Sequence, residues 1–413
     1  MTYFKIKFTG FFLLITFSSI ANILKVGPNQ KIKYLSDAVT AAKSFDTILV
    51  DKSTYYPKNF EITKPLVVIG IDYPVLDGES KYQVVSIKSS NVIFQGFKIQ
   101  HSSVSSLEDV AGIKIINANN IIVRNNILND TFFGIYSQYS QNCLIENNTI
   151  TSNRKFEQES ANGIHCWKSD SIRIINNRIS GHRDGIYLEF VTNSLIWRNI
   201  SSKNIRYGLH FMFSHNDSYI SNIFKSNGAG VAVMFTKRVK MFNNYFEENW
   251  GDAAYGLLLK EISDSYIQGN IFQKNTIGIH MEGTSRIYMK KNQFISNGFA
   301  IKIQASCDSN TLTENNFIAN TFDIGTNGSL VLNNFDRNYW DKYEGYDLNK
   351  DKIGDIPYRP ISMFSMIVEK YPPVMILFRS FMVTLFDKTE KILPSLTPEN
   401  LKDNFPLMKA IKL

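Results

Sequence analysis

Apolar residues recur along the middle of the chain in short runs that alternate with polar positions, without the spacing of an amphipathic helix. Eight times a glycine is followed by an aliphatic residue and, fourteen positions after the glycine, by an asparagine. The glycines are Gly112, Gly134, Gly163, Gly185, Gly208, Gly230, Gly256 and Gly278. The asparagines are Asn126, Asn148, Asn177, Asn199, Asn222, Asn244, Asn270 and Asn292. A basic period of 22 residues predicts a stacked solenoid, because one such unit cannot bury its own core.

Each repeat holds three short segments with the alternation of a β-strand. The first and third residues after each glycine are mostly apolar, which places them on the inner face of the first strand. A second segment precedes the asparagine, and a third carries a phenylalanine column of Phe224, Phe246, Phe272 and Phe294. Three strands per coil predict an all-β fold, a right-handed parallel β-helix of the pectin-lyase type.

The asparagine column is predicted to be structural. A tight corner needs a residue that tolerates the left-handed conformation, and Asn does so better than other non-glycine residues. Stacked at the strand spacing of ~4.7 Å, the amides can also hydrogen-bond from coil to coil. Because the glycine-to-asparagine distance is constant, the insertions at 154–160 and 249–255 should emerge on one side of the solenoid. In repeat proteins that side is usually the binding side.

The predicted coils cover residues 66–336 and are flanked by segments of different character. Residues 1–21 combine two lysines with a short apolar stretch and a small-residue site, which is typical of a secretory signal peptide cut after Ala21. We therefore expect the mature protein in a periplasm. Residues 22–65 include a helical pattern and are predicted to cap the open end of the solenoid, where core and strand edges would otherwise be exposed.

Charge and cysteine content exclude some function classes without selecting one. The formal net charge is +8, but basic and acidic residues are interleaved, which argues against a nucleic-acid-binding surface. Cys143, Cys166 and Cys307 are scattered and lack the spacing of a zinc site. We expect them to be buried thiols rather than ligands or disulfides.

After the last coil, residues 337–371 are rich in Asp and Asn. Asp347, Asn349, Asp351 and Asp355 resemble a calcium loop, since Ca²⁺ takes six to eight oxygen ligands from a flexible segment. The segment departs from the EF-hand pattern, because its glycine is misplaced and no glutamate closes it. The alternative is an Asx-rich turn that covers the last coil.

Residues 372–413 open with an apolar stretch, 374–393, for which Pro373 is a suitable helix start. Its uninterrupted apolar part is too short to span a bilayer. A helix that is apolar all round must be buried against its own solenoid or against a partner. We expect a partner, because a lid would need only one apolar face. The predicted contact residues are Met375, Phe378, Phe381, Met382, Leu385 and Phe386.

In the first strand of each repeat, which begins at the glycine, several side chains predicted to point outward are soft metal ligands. His210 and Met212 share a face two residues apart, and Met234 lies one coil above Met212 at the same position of the repeat. Thioethers with an imidazole select Cu(I), so these residues form a candidate copper site. A weaker version uses His165 or His280 as the imidazole. The alternative is that these Met and His side chains pack under the insertions.

An extracellular polysaccharide lyase, hydrolase or epimerase is the rival function, because such enzymes often use a β-helix and need paired carboxylates or a Ca²⁺ cluster. Glu189 and Glu282 lie on the candidate face, but they are four coils apart, roughly 19 Å at the strand spacing. His182, Arg183 and Asp184 could form a catalytic cluster, although a turn filled with polar residues is the simpler account. Fold alone does not decide between the functions.

Two segments resemble the NosD family, periplasmic accessory proteins of nitrous oxide reductase maturation. They are the motif Asn338-Tyr339-Trp340-Asp341 with residues 347–358, and the tail from Pro373 to Pro398. The likeness extends over nearly the whole mature chain, whereas the coils alone are shared with many carbohydrate-active proteins.

The resemblance implies a periplasmic solenoid docked on an ABC-type membrane permease that is driven by a cytoplasmic ATPase. It also implies work with a copper chaperone to load the copper centres of nitrous oxide reductase. The permease would be the missing partner of the apolar tail, and copper would explain the His and Met residues on one face. Such a protein would be an accessory subunit and not an enzyme.

Overall fold

A computed structural model describes residues 21–105, 107–154, 156–251, 254–328, 332–378, 380–383, 385–386 and 401–412. Over these residues the chain forms a right-handed parallel β-solenoid of about 14 turns, which confirms the predicted fold. Three parallel sheets of 14, 12 and 13 strands run along it. The predicted signal peptide lies outside the described residues except for Ala21, so it stays a prediction.

Each coil contributes at most one strand to each sheet. Sheet 1 precedes the asparagine column and contains Ile23–Val26, Thr47–Val50, Val67–Gly70, Ile93–Gln95, Ile122–Arg124, Leu144–Glu146, Arg173–Ile175, Leu195–Trp197, Ser218–Ile220, Lys240–Phe242, Tyr266–Gln268, Tyr288–Lys290, Asp308–Thr313 and Leu332–Asp336. Sheet 2 holds the glycine strands and contains Phe60–Ile62, Val85–Ile87, Ala111–Ile116, Phe133–Gln138, Ile164–Trp167, Ile186–Glu189, Tyr207–Met212, Ala229–Met234, Tyr255–Lys260, Ile277–Glu282, Phe299–Ile303 and Phe322–Gly325. Sheet 3 follows the asparagine column and contains Thr54–Tyr55, Val75–Asp77, Lys98–Gln100, Ile127–Asn129, Thr149–Thr151, Arg178–Ser180, Ile200–Ser202, Ile223–Lys225, Tyr245–Glu247, Ile271–Gln273, Gln293–Ile295, Asn316–Ile318 and Tyr339–Trp340.

The core is a set of side-chain columns along the solenoid axis. The phenylalanine column of sheet 3 is fully buried, and its rings stack from Phe224 to Phe317, with centroids 4.5–5.4 Å apart. Trp340 ends this column, with its ring 4.1 Å from that of Phe317. Successive coils are thus fixed in register by identical contacts.

The asparagine column forms the predicted hydrogen-bond ladder. Each side-chain amide donates to the amide oxygen of the next coil at 2.9–3.1 Å, without a break from Asn126 to Asn338. The prediction that these asparagines adopt the left-handed conformation is wrong. Positive φ belongs to the residue before each of them, such as Asn176 or Arg198. The chain turns one residue early because the amide must point inward to reach its neighbours.

The solenoid begins within the segment that was predicted to be a cap. Ile23–Val26 already pairs with Thr47–Val50, and helix α1 (Leu35–Ala41) packs over the same end. The glycine column could not reveal these coils, because its first member is Gly112.

Residues 401–412 return to the far end of the solenoid and close its last coil. Asp403 is fully buried, and its carboxylate accepts hydrogen bonds from the backbone and side-chain N–H groups of Asn338, at 2.9 and 3.0 Å, and from the Trp340 indole at 3.1 Å. Two further backbone N–H groups, of Arg337 and Phe405, donate to it at 3.1 Å. The carboxylate therefore takes the place of the next asparagine in the ladder.

Between the last coil and this closing segment, the described residues among 359–386 (359–378, 380–383 and 385–386) form what we call the C-terminal lobe. It contains helix α2 (Met363–Lys370) and a 3₁₀-helix (Pro372–Leu377). The prediction of one continuous helix over 374–393 is wrong in the described part. The chain leaves the helical conformation at Phe378 (φ −55°, ψ 132°), and this turn lets the Phe378 ring contact other parts of the protein.

The lobe packs on the outer face of sheet 2. Phe364, Val368 and Val383 form an apolar cluster with three residues from the last sheet 2 strands, namely Ile277, Phe299 and Phe322. Lys302 pairs with Glu369 at 2.5 Å beside this cluster. Across the described ranges, none of the helices combines the length and apolar character that a bilayer crossing requires.

Candidate functional site

The outer face of sheet 2 carries three columns of side chains, because the strands stay in register from coil to coil. The first column contains Phe133, Asn162, Asp184, Tyr207, Ala229, Tyr255 and Ile277. The second contains Tyr136, His165, Tyr187, His210, Ala232, Leu258 and His280. The third contains Gln138, Trp167, Glu189, Met212, Met234, Lys260 and Glu282. Both predicted insertions lie between a sheet 3 strand and a sheet 2 strand, so they follow the same edge of this face.

The second column is a stack of aromatic rings in which the candidate histidines are kept apart. The Tyr187 ring lies between His165 and His210, with centroid distances of 4.7 and 4.5 Å. His280 is three coils beyond His210, roughly 14 Å at the strand spacing. The three imidazoles therefore do not converge on one point, and a compact site can use only one of them.

The structure places His210, Met212 and Met234 at neighbouring positions. Met212 and Met234 are direct partners on adjacent strands, and His210 is on the same face as Met212 two residues before it. Ala232, the strand partner of His210, adds little bulk beside the imidazole. The Tyr187 hydroxyl donates a hydrogen bond to the Met212 sulfur at 3.5 Å. Two thioethers and one imidazole thus share a single patch of the face.

The Asp184 carboxylate lies beside the His210 imidazole. Its carboxylate lies 3.6 Å from His210 Nδ1 and accepts hydrogen bonds from Arg206 Nε and Nη2 at 2.9 and 2.6 Å. Burial alone would raise the pKa of Asp184, but the interactions with His210 and Arg206 outweigh it and lower the pKa to about 2. The ionised carboxylate therefore favours a proton on Nδ1, which leaves the lone pair on Nε2. Both ring nitrogens are buried, and neither has a partner within hydrogen-bond distance among the described residues.

His165 carries its proton on the opposite nitrogen. Arg183 Nη2 donates to Asn162 Oδ1 at 3.3 Å, so the Asn162 amide nitrogen faces His165 Nδ1, also at 3.3 Å. Nδ1 must accept from this amide, which puts the proton on Nε2. Burial lowers the pKa of His165 to about 3, so the ring is neutral. With one nitrogen occupied and the other protonated, His165 is a hydrogen-bond donor rather than a metal ligand.

One ring nitrogen of His280 also has a hydrogen-bond partner. The Gln304 side-chain amide lies 3.3 Å from its Nε2, and burial lowers the pKa of the imidazole. Among the three candidate histidines, His210 is therefore the one that keeps a lone pair available at Nε2. Sequence reasoning missed Asn162, and it considered Asp184 only as part of a catalytic cluster. Both residues lie two positions before the first apolar residue of the repeat, Ile164 and Ile186.

The residues of the rival enzyme do not form an evident catalytic arrangement. His182 is fully buried, with its Nδ1 3.4 Å from Ser160 Oγ. The Asp184 carboxylate accepts a hydrogen bond from Arg206 and lies beside His210, so it does not pair with His182. Glu189 and Glu282 are four coils apart in the third column, and Glu282 pairs with Lys260 at 3.2 Å.

The carboxylates of the calcium-like loop accept hydrogen bonds from their own backbone. Asp347 accepts from the N–H groups of Asp351 and Lys352 at 3.2 and 2.9 Å, and Asp355 accepts from Leu348 at 2.7 Å. The Asn349 oxygen likewise accepts from Asp351, at 3.0 Å. This is the geometry of the alternative, an Asx-rich turn. Calcium would have to compete with these bonds, and its binding stays a prediction.

The six predicted contact residues of the lobe divide into two groups. Phe378 and Phe386 are half-buried and pack against the lobe's own apolar cluster. The others are exposed, namely Met375 at 36%, Phe381 at 82%, Met382 at 50% and Leu385 at 45%. Ile376, which the sequence reading did not select, is the most exposed at 88%. The apolar surface of the lobe is thus partly buried on the solenoid and partly open to solvent.

A family model described as "Periplasmic copper-binding protein (NosD)" matches residues 152–350, the coils that hold His210, Met212 and Met234. A model of the right-handed β-helix region matches residues 76–161. Among solved structures, the catalytic unit of a thermostable GH87 alpha-1,3-glucanase from Streptomyces thermodiastaticus gives a TM-score of 0.55 at 10% identity, covering 74% of this chain and 62% of that chain. This likeness shows the fold alone.

Two relatives, from Stutzerimonas stutzeri and Pseudomonas aeruginosa, are each described as "Probable ABC transporter binding protein NosD". Both are 25% identical to this chain, in alignments 374 and 381 residues long; each match covers 86% of this chain, and 85% and 86% of the respective relative. They are named as binding proteins and not as enzymes. Together with the family model, these two relatives show a likeness to NosD-type proteins that extends over most of the chain.

Proposed function

We propose that this protein is a periplasmic accessory subunit of an ABC-type complex and that it supports copper delivery to the copper centres of nitrous oxide reductase. The NosD-type relatives support an accessory role beside an ABC transporter. The observation that carries the copper part is the donor set on sheet 2. His210 keeps Nε2 free there, beside the neighbouring thioethers of Met212 and Met234.

Copper is the cargo in this proposal, and the donor set fits Cu(I) by its chemistry. Thioethers and imidazole are soft ligands, whereas calcium and magnesium prefer oxygen. The Asp184 carboxylate lies 3.6 Å from Nδ1 of the imidazole, on the side away from Nε2, and Arg206 keeps Asp184 in place through two hydrogen bonds. A carboxylate on the far nitrogen of a ligating histidine commonly fixes its orientation. The residues of this face would hold the ion only transiently, because delivery requires release.

Cu(I) titration of the isolated protein against a chromogenic chelator tests the donor set. We expect the triple variant His210→Gln, Met212→Leu and Met234→Leu to lose at least about 100-fold in affinity, because it removes the donors but keeps the side-chain volumes. The matched controls are His165→Gln and His280→Gln, which should bind as the natural chain does. Unchanged affinity in the triple variant would refute the copper site.

We propose that the solvent-exposed apolar residues of the C-terminal lobe contact the membrane permease. Ile376 and Phe381 are 88% and 82% exposed, and apolar surface of this kind usually marks a partner contact. Phe378 is a poor probe of this contact, because its ring packs on Phe322 and Phe364 and its loss would disturb the lobe itself.

Co-purification with the permease and its ATPase tests this contact. Ile376→Asp with Phe381→Asp should abolish it, while the solenoid keeps its unfolding midpoint. The matched control is Leu348→Asp in the Asx-rich turn, since Leu348 is 77% exposed outside the lobe. If the double variant remains with the membrane complex, the lobe is not the docking element.

A further inference from the structure

One corner of the solenoid carries an exposed stack of aromatic residues at the end of the sheet 2 strands. The rings of Phe190, Phe213 and Phe235 lie 5.1 Å apart from coil to coil, with interplanar angles of 9° and 17°. Tyr139 occupies the same corner two coils before Phe190, and its ring lies 4.9 Å from that of Trp167, which directly precedes the corner in the coil between them. We call these five residues the aromatic corner. Tyr139, Phe190 and Phe235 are 46%, 44% and 37% exposed, so the ring edges face water.

The backbone of this corner does not favour such residues. Phe190, Phe213 and Phe235 have φ values of 53°, 52° and 53°, in the left-handed region that costs a bulky residue about 1 kcal/mol. In the other coils the same corner is occupied by Asn117, Lys168, Glu261 and Gly283, of which Asn117 and Gly283 are residue types that this backbone conformation favours. Six Phe and Tyr residues have positive φ in the described part of the chain, and four of them stand in this column. Ring stacking offsets part of the cost, but it does not explain why apolar edges are left in water.

The aromatic corner borders the candidate copper donors. Phe213 and Phe235 directly follow Met212 and Met234 in sequence, so a molecule that approaches the two sulfurs from this corner contacts the ring edges. The row spans five coils, roughly 19 Å at the strand spacing. Such a strip is small beside the ~800 Å² per partner that a stable interface buries, and it suits a transient contact better than a permanent dimer.

Cations lie within the strip, where Lys168 occupies the corner between Tyr139 and Phe190, and beside its Phe235 end. The Lys168 ammonium lies 4.6 Å from the Trp167 ring, and Lys237 and Arg238 are exposed just beyond Phe235. A partner that matches this surface has an apolar patch with an acidic rim. Complementary charges of this kind raise the rate of association more than the final affinity.

We propose that the aromatic corner is the surface on which a copper-carrying protein docks while Cu(I) passes to Met212 and Met234. The partner presents Cu(I) within an apolar patch that has an acidic rim. This inference rests on the proposed function. It adds the place of contact and the surface chemistry of the partner.

The triple variant Phe190→Asn, Phe213→Asn and Phe235→Asn tests the inference without straining the backbone, because Asn suits the left-handed conformation. The probes are a Cu(I)-loaded periplasmic copper chaperone from the same organism and, separately, a small Cu(I) chelate. We expect transfer from the chaperone to slow at least tenfold, with unchanged affinity for copper from the chelate. Lys237→Glu with Arg238→Glu should also slow transfer from the chaperone, most clearly at low ionic strength.

Phe45→Asn is the matched control, because Phe45 also has a positive φ, of 71°, and is 58% exposed at the other end of the solenoid. Transfer from the chaperone at the natural rate in the triple variant would overturn the inference. A loss of self-association in that variant, seen by sedimentation, would assign the corner to a second copy of the chain instead. If the natural protein takes no copper even from the chelate, the proposed function fails, and that result is separate from these.

Discussion

The outer face of sheet 2 has the same backbone in its middle and last coils, but the two regions are covered differently. In the last coils Ile277, Phe299 and Phe322 are closed off by the protein's own lobe. In the middle coils His165 and His210 keep ring nitrogens for which the described chain provides no partner. Strand register determines where side chains lie on the outer face of sheet 2. The residue types at those positions determine whether the C-terminal lobe covers the face or whether its polar groups stay available to another molecule.

The largest expected effect concerns the closed end. Asp403→Ala removes the acceptor of five buried or half-buried N–H donations, so the free energy of unfolding should fall by about 4 kcal/mol or more. Asp403→Asn keeps one acceptor oxygen and should cost about half as much. Urea denaturation measures both. If Asp403→Ala stays within about 1 kcal/mol of the natural chain, closure does not depend on this carboxylate.

A smaller effect distinguishes the buried and open surfaces of the lobe. Phe364 is 1% exposed, so Phe364→Ala should destabilise the packed lobe by about 3 kcal/mol. Phe381→Ala, at 82% exposure, should change its stability by less than about 0.5 kcal/mol. Hydrogen exchange of helix α2 reports both changes. Equal exchange in the two variants would show that the lobe is not held by its apolar cluster.

The repeat was enough to predict the fold, the inner columns and the edge on which insertions lie, because strand alternation determines all three. Contacts between distant parts of the chain leave no such period. Asp403 is 65 residues from Asn338, and neither the motif around Trp340 nor the tail indicates that the two meet. The division of the apolar stretch at Phe378 depends on which solenoid residues it meets, and the sequence pattern does not contain that information.

For the candidate site, the sequence was enough to place His210, Met212 and Met234 together but not to choose among the histidines. That choice depends on which ring nitrogen is already engaged. Asn162 and Asp184 occupy equivalent positions in neighbouring coils, yet one presents an amide N–H and the other a carboxylate. Their opposite effects on the rings follow from side-chain geometry, which a repeat pattern does not specify.

The pH dependence of stability tests whether His165 is held neutral in the middle coils. Its pKa is about 3 in the folded protein against 6.5 as the ordinary value, so below pH 6.5 the unfolded chain takes up a proton that the folded chain does not. The contribution of His165 to stability is complete above pH 6.5 and declines as the pH falls toward 3. Relative to His165→Gln, the natural chain should lose about 1.4 kcal/mol per pH unit below pH 6. Urea denaturation of both proteins at pH 7, 6 and 5 measures this difference, which would stay constant if the ring were free to ionise.

The smallest expected effect concerns the hydroxyl that touches the Met212 sulfur. Tyr187→Phe keeps the ring between the two histidines and removes only the hydrogen bond to sulfur. Stability should change by about 0.5 kcal/mol or less, and Cu(I) affinity should rise slightly because the sulfur is no longer engaged. A large loss of affinity in chelator competition would instead make the hydroxyl part of the copper site.

Asp403 also has a consequence for the order in which the molecule is assembled. An asparagine amide both accepts and donates hydrogen bonds, so it can continue the ladder to a following coil, whereas the Asp403 side chain serves the ladder only as an acceptor. Because 65 residues separate Asp403 from Asn338, this last connection must close a long loop, which is costly in entropy and slow to form. The coils can therefore form one after another through contacts between residues that are close in sequence. The Asp403 carboxylate then caps the asparagine ladder after the last coil has formed.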